Sequence, residues 1–211
     1  FLNKNIHVEG IKDIDKDDIN YAKRLGYKIK LLGYAELIGN NILQRVHPTL
    51  IRNGSYVGSI DGVLNAVIIN GNPVGQSIIQ GEGAGPAATT SALISDISSI
   101  LRGNIKFPFS ISNKERKNLD FKHISERFFS AYFKFNVIDK PGVLSNITQV
   151  FSRNRVSIKR LVQDPNKNKN SSIIIIITHS SKDKSLNKII QTINKRSYVK
   201  KRSKLIRIDD E

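Results

Sequence analysis

The chain of 211 residues contains no cysteine, no methionine and no tryptophan. Without cysteine there is no disulfide scaffold, no thiolate metal centre and no thiol nucleophile. No uninterrupted apolar run approaches the roughly 20 residues that a membrane-spanning helix needs. The opening stretch, FLNKNIHVEGI, lacks the charged, apolar and small-residue layout of a secretory signal, which points to the cytoplasm. A chain without methionine does not begin where translation begins, and Phe1 is too bulky to follow ordinary removal of an initiator methionine. The expectation is therefore the C-terminal part of a longer protein. Acidic side chains are scarce as well, 18 against 34 Lys and Arg, for a formal charge of +16. That deficit is local: residues 1–100 hold nine basic and nine acidic side chains, whereas 101–211 hold 25 and nine.

What is present reads as α+β. Asp15 predicts an N-cap for a helix over 16–25, with Asp17 and Asp18 in its first turn and Gly26 as its stop. Residues 27–38 read as extended, and Gly39-Asn40 turns the chain into a strand over 42–46. A hairpin follows, 63–69 and 74–80, joined by Asn70-Gly71-Asn72-Pro73. After the glycine loop 81–86, a helix over 87–101 carries Leu93, Ile94, Ile97, Ile100 and Leu101 on one face, and Gly103 stops it. Residues 104–128 are polar and basic, the composition of a connector. Strands at 132–137, 156–162, 173–177 and 204–208, with helices at 142–153 and 185–194, then give the order βαββαβ, the ferredoxin-like arrangement. The domains expected are a partial mixed α/β sheet domain over 1–103, the connector over 104–128, and the ferredoxin-like domain over 129–211.

Asp13, Asp15, Asp17 and Asp18 start like a calcium loop, but the sixth and twelfth positions are Asp18 and Arg24 instead of Gly and Glu. The run reads as a helix start, and no metal site is indicated. Gly83-Ala84-Gly85-Pro86-Ala87-Ala88 matches the letters of a dinucleotide fingerprint, yet it follows a hairpin strand, and no acidic residue stands near 103–106. Its physics holds regardless: small residues let a ligand approach the backbone, and helix-start amides favour phosphate or polar cofactor atoms. A purely structural strand-to-helix turn remains the other reading. His47, in Arg45-Val46-His47-Pro48-Thr49, has no nucleophile beside it and reads as a structural histidine. Asp139-Lys140-Pro141-Gly142-Val143-Leu144 joins a strand to a helix and can either hold an amino acid's carboxylate or simply connect. The basic stretch 195–207 has a single Tyr for stacking and overlaps an edge region and strand, so it reads as compositional bias, with no nucleic acid expected.

Taken in order, Leu25-Gly26-Tyr27-Lys28-Ile29-Lys30-Leu31-Leu32, Arg45-Val46-His47-Pro48-Thr49-Leu50, Asp61-Gly62-Val63-Leu64-Asn65-Ala66-Val67 and Gly81-Glu82-Gly83-Ala84-Gly85-Pro86 with Thr89-Thr90-Ser91-Ala92 and Asp96 closely resemble homoserine dehydrogenase. The unit containing Asp139 to Leu144 resembles the ACT domain that many bacterial members carry at the C-terminus. The resemblance covers nearly the whole chain. It implies an oxidoreductase that interconverts L-homoserine and L-aspartate 4-semialdehyde with NAD or NADP, on the route to threonine, methionine and isoleucine. It places the catalytic lysine, the acidic substrate ligands and the nucleotide-binding glycines upstream of residue 1, so no catalytic residue is assigned here and the 211 residues alone are expected to be inactive. It carries over Gly83, Ala84, Gly85, Pro86 and Thr89 as the loop near the nicotinamide end of the cofactor. Ala88 and Thr90 depart from the Pro and Ala common in relatives. Asp139, Pro141, Gly142, Val143 and Gln163 are the implied contacts for an amino-acid effector such as threonine, at a paired ACT interface. A homodimer or larger homo-oligomer is implied, with no membrane partner. A second possibility is a non-catalytic amino-acid-sensing ACT module. If the 87–101 helix packs on an absent nucleotide domain, Ile94, Ile97 or Leu101 should be unusually exposed.

Overall fold

The computed structural model describes residues 5–104, 112, 114–115, 118–165 and 170–209. Parts of the 104–128 connector and of the 164–170 turn lie outside the described residues. The chain forms two compact units, Gly54–Asn118 and the pairing of Phe1–Asn53 with Leu119–Glu211.

In the larger unit, β1 (Ile6–Val8) leads into α1 (Lys16–Arg24), where Asp15 is the N-cap as its sequence context predicts. Asp15 accepts from the Asp18 N–H at 2.9 Å, and Asp18 accepts from the Asp15 N–H at 3.0 Å, a reciprocal capping box. Gly26 ends the helix at φ +86°, a conformation that side chains resist. β2 (Tyr27–Ile38) and β3 (Asn41–Arg52) then pair antiparallel along their full length. The sequence signal for β3 stops at 46, where Pro48 interrupts it. The strand nevertheless continues to Arg52, because Thr49, Leu50 and Ile51 gain a parallel partner from the far end of the chain.

Residues 119–209 add β6 (Asp120–Phe121), β7 (Phe128–Ile138), α4 (Val143–Arg153), β8 (Ile158–Pro165), β9 (Ser171–Thr178), β10 (Ser181–Lys182), α5 (Asp183–Asn194) and β11 (Val199–Asp209). The main strands lie in the order β11-β7-β9-β8, all antiparallel, which is the ferredoxin-like sheet. β11 is not an edge. It sits between β7 and β3, pairing Arg207 with both Ala131 and Thr49. The expected edge character of the basic stretch is corrected accordingly. Residue alternation divides the core between the two faces. Ala131, Phe133, Phe135, Ile174 and Ile176 meet Ile147, Phe151, Leu186 and Ile189 beneath the helices. Tyr132, Ile175, Ile177, Ile206 and Ile208 pack with Leu50 and Ala22 on the opposite face. A sheet covered on both sides needs apolar residues at every position, which is why β9 carries five consecutive isoleucines.

The smaller unit holds α2 (Tyr56–Ser59), the antiparallel hairpin β4 (Leu64–Gly71) with β5 (Gly75–Glu82), and α3 (Pro86–Leu101). Among its described residues only Gly58 is buried. Ile94, Ile97 and Leu101 are 58%, 51% and 82% exposed, the exposure expected of them from the sequence.

Candidate functional site

The glycine loop is built between β5 and α3. The Gly83 N–H donates to the Val63 carbonyl at 2.9 Å, tying the loop back to the start of β4. A Cβ on Gly83 would lie 1.5 Å from the Asn65 amide nitrogen, so a side chain there would force Asn65 aside. Gly85, the N-cap of α3, sits at φ +126° and ψ 149°, a region open essentially to glycine alone. Pro86 takes the first helical position, where its missing N–H costs nothing. The Thr89 N–H and hydroxyl both return to the Gly85 carbonyl, at 3.1 and 2.9 Å. Ala87 and Ala88 are the first-turn amides that a helix leaves without an internal partner. The five loop residues named from the sequence thus form one strand-to-helix corner, with backbone in place of charged side chains at its apex. Such a corner can receive a polar or anionic ligand edge.

In the other unit, Asp139, Pro141, Gly142, Val143 and Gln163 line one cleft of about 340 Å³, completed by Ser172 and Ile174. Gly142 adopts φ +87° as N-cap of α4, and its carbonyl accepts from the Asn146 N–H at 2.9 Å. Gln163 stands opposite Ile174 on the neighbouring strand, with its amide nitrogen 3.4 Å from the Ser172 hydroxyl. Residues 24 positions apart in sequence are therefore brought to one concave surface at a helix start, a place suited to a small carboxylate.

A third cluster escapes the sequence reading. Arg207, 1% exposed, donates from Nε to Asp183 at 2.8 Å and from Nη1 to both Glu9 oxygens at 2.9 Å. His7 reaches Glu9 at 2.7 Å. Burial alone would raise the Glu9 pKa, but the His7 and Arg207 hydrogen bonds and charge hold it down to about 2. Arg45 pairs with Glu36 and lies 3.9 Å over the Tyr34 ring. Tyr34 in turn donates to Asp209 at 2.7 Å. His47 is buried between these arginines. Its Nδ1 meets the Thr49 hydroxyl at 3.0 Å, and burial, then the Arg207 charge, push its pKa down to about 4. His47 is structural, as its sequence setting implies: a neutral ring stacked 5.7 Å from Tyr34. The available sequence signal was Arg45 at an inward position of an alternating strand, between Leu43 and His47, and Arg207 inside the apolar run of β11, flanked by Ile206 and Ile208. Nearby, Lys134 and Lys204 bind the α1 cap: Lys134 reaches Asp15 at 2.8 Å, and Lys204 reaches Asp15 at 2.7 Å and Asp18 at 2.5 Å.

Residues 2–98 match the family model for homoserine dehydrogenase, and residues 133–201 match that of the AHAS small subunit-like ACT domain. Among curated proteins, homoserine dehydrogenase of Helicobacter pylori is 33% identical over 98% of this chain and 49% of its own length. That of Neisseria gonorrhoeae is 34% identical over 96% of this chain and 48% of its own. The chain spans about half the length of these relatives. The crystal structure of a homoserine dehydrogenase from Thiobacillus denitrificans superposes with a TM-score of 0.84 at 31% identity, covering 98% of this chain and 48% of that one. The glycine-loop corner falls inside the first matched region and the 139–144 turn inside the second. The chain carries the homoserine dehydrogenase family region over residues 2–98 and an ACT domain over residues 133–201.

Proposed function

We propose that the chain serves as the substrate-domain and regulatory portion of an NAD(P)-dependent homoserine dehydrogenase, interconverting L-homoserine and L-aspartate 4-semialdehyde in cytoplasmic threonine, methionine and isoleucine synthesis. On this reading residues 1–103 are the substrate-domain portion, 104–128 a connector and 129–211 the regulatory domain. The nicotinamide group, when bound, takes up or returns the hydride. The residues of this chain position that group. Gly83, Ala84 and Gly85 permit close backbone approach, Pro86 fixes the turn, and Thr89 braces the Gly85 carbonyl. The observation that carries the reading is the Gly85 corner, held at φ +126° between β5 and α3 in the region that matches the family. No group here is assigned the proton or hydride chemistry itself, so the 211 residues alone turn over no homoserine.

The test is a chimera: the upstream half of the Neisseria gonorrhoeae relative joined to this chain, assayed by NAD(P)H formation from L-homoserine. Turnover is expected, with a strong loss on Gly85→Val. A folded chimera that binds the nucleotide but oxidises no homoserine would refute the proposal. Asp139, Pro141, Gly142, Val143 and Gln163 are proposed to hold an amino-acid effector such as threonine, in a homodimer or larger homo-oligomer. Their convergence on one cleft supports this, and it equally supports the second reading, an amino-acid-sensing module without catalysis. An inactive chimera whose ACT cleft still binds threonine would favour that second reading.

A further inference from the structure

Residues 9–14, α5 and β11 enclose a second cleft, of about 490 Å³, that shares no residue with the 139–144 turn. Four charged side chains line it, Glu9, Asp13, Lys204 and Arg202. Two of them are already satisfied. Glu9 is held by Arg207 and His7, and Lys204 by Asp15 and Asp18. Asp13 and Arg202 are exposed and have no ion-pair partner among the described residues. One free acid and one free base therefore remain in a cleft whose other charges cancel. To the same lining α5 contributes Gln191 and Asn194. Asn194 Oδ1 accepts from the Ser203 N–H at 2.9 Å, which fixes the side chain and leaves its amide N–H₂ as a donor. Ile14, Ile190 and Pro48 add apolar surface to the same lining.

We propose that this cleft binds a small zwitterionic α-amino acid, its ammonium toward Asp13 and its carboxylate toward Arg202. A simple anion would meet Arg202 but also Asp13 and Glu9, and a simple cation would meet the converse. Only a ligand bearing both charges uses both free groups. Because the cleft is formed by α5 and β11 on one side and the 9–14 segment on the other, its occupant would tie the ACT domain to the family region directly. This site stands apart from the effector turn and does not depend on it.

Isothermal titration of the full 211-residue chain with glycine, L-threonine and L-isoleucine tests the proposal, with N-acetyl-L-threonine and L-threonine amide as ligands lacking one charge. Heat is expected from at least one zwitterion, and not from the matching single-charge form. Affinity should fall about tenfold or more in both Asp13→Asn and Arg202→Gln, the loss of one charge-assisted hydrogen bond. Both sites are exposed, so the variants should keep the parent circular dichroism spectrum. Measured in a Gln163→Ala background, which strips the effector turn of one contact, this binding should persist. Absence of heat with all three zwitterions overturns the proposal, as does binding that, in that background, survives both charge variants. Binding lost with Gln163→Ala but kept in the charge variants would overturn it while leaving the effector turn intact.

Discussion

Replacing Arg207 with methionine isolates a charge that is almost completely buried. The side chain is 1% exposed and bridges Asp183, itself 2% exposed, and Glu9. In Arg207→Met the Asp183 carboxylate keeps, among the described residues, the Asn187 amide at 2.7 Å and stays out of water. Removing one member of a buried ion pair costs about 3–5 kcal/mol. Glu9 is 37% exposed and can turn to solvent, so its share is at most about 1 kcal/mol. Methionine fills much of the volume, and the remaining Asn187 bond softens the loss, which places the expected cost near 3 kcal/mol. Urea unfolding followed by near-ultraviolet circular dichroism reads this, since Tyr132 is buried in the same sheet. With a denaturant slope of about 2 kcal/mol per molar, the midpoint should fall by about 1.5 M at unchanged slope. Adding Asp183→Asn should recover at least about 1 kcal/mol, because the second change removes the orphaned charge. A loss below about 1 kcal/mol, or no recovery in the double variant, would refute the view of Arg207 as a buried bridge.

Two other outcomes follow from the same geometry. His47 titrates near 4 in the folded chain against 6.5 in the unfolded one, so between those values only the unfolded chain takes up the proton. Stability should fall on acidification through that window by up to about 1.4 kcal/mol per pH unit, and His47→Gln should flatten the slope. Urea midpoints across the window check this, and parallel slopes for parent and variant would contradict it. On α3, Ile94→Gln and Leu101→Gln should each change stability by less than about 0.5 kcal/mol, whereas Ile176→Ala should cost about 2–5 kcal/mol. A loss above about 1 kcal/mol at Ile94 or Leu101 would mean that the helix face is covered.

The features legible in the sequence are those whose cause is local. Asp15 and Gly26 bound α1 because a cap and a left-handed stop act within a few residues. Ile147, Val150 and Phe151, and Leu186, Ile189 and Ile193, declare their helices by spacing alone. The strand-to-helix corner at 83–89 is likewise local, carried by its glycines and Pro86, whereas Gln163 joins the 139–144 turn only through strand pairing and came from the family resemblance. What stayed hidden depends on distant partners. Past Pro48, β3 is flanked by β11 as well as β2, and Arg207 is held in the core by Asp183 and by Glu9, 198 residues upstream. The cleft at Asp13 and Arg202 is equally non-local, with its walls drawn from opposite ends of the chain.

The position of β11 also has a consequence for biosynthesis. β11 is an interior strand, lying between β7 and β3. Until Val199–Asp209 has left the ribosome, β7 and the 49–51 stretch of β3 each present an unpaired edge rich in apolar residues. Local pairs such as β2 with β3, and β8 with β9, can form during synthesis, but the nine-stranded sheet closes only once β11 has emerged. Between the emergence of β7 and that of β11 the nascent chain therefore carries an aggregation-prone open edge. Loss of Arg207–Asp209 would remove the seam between β11 and β3.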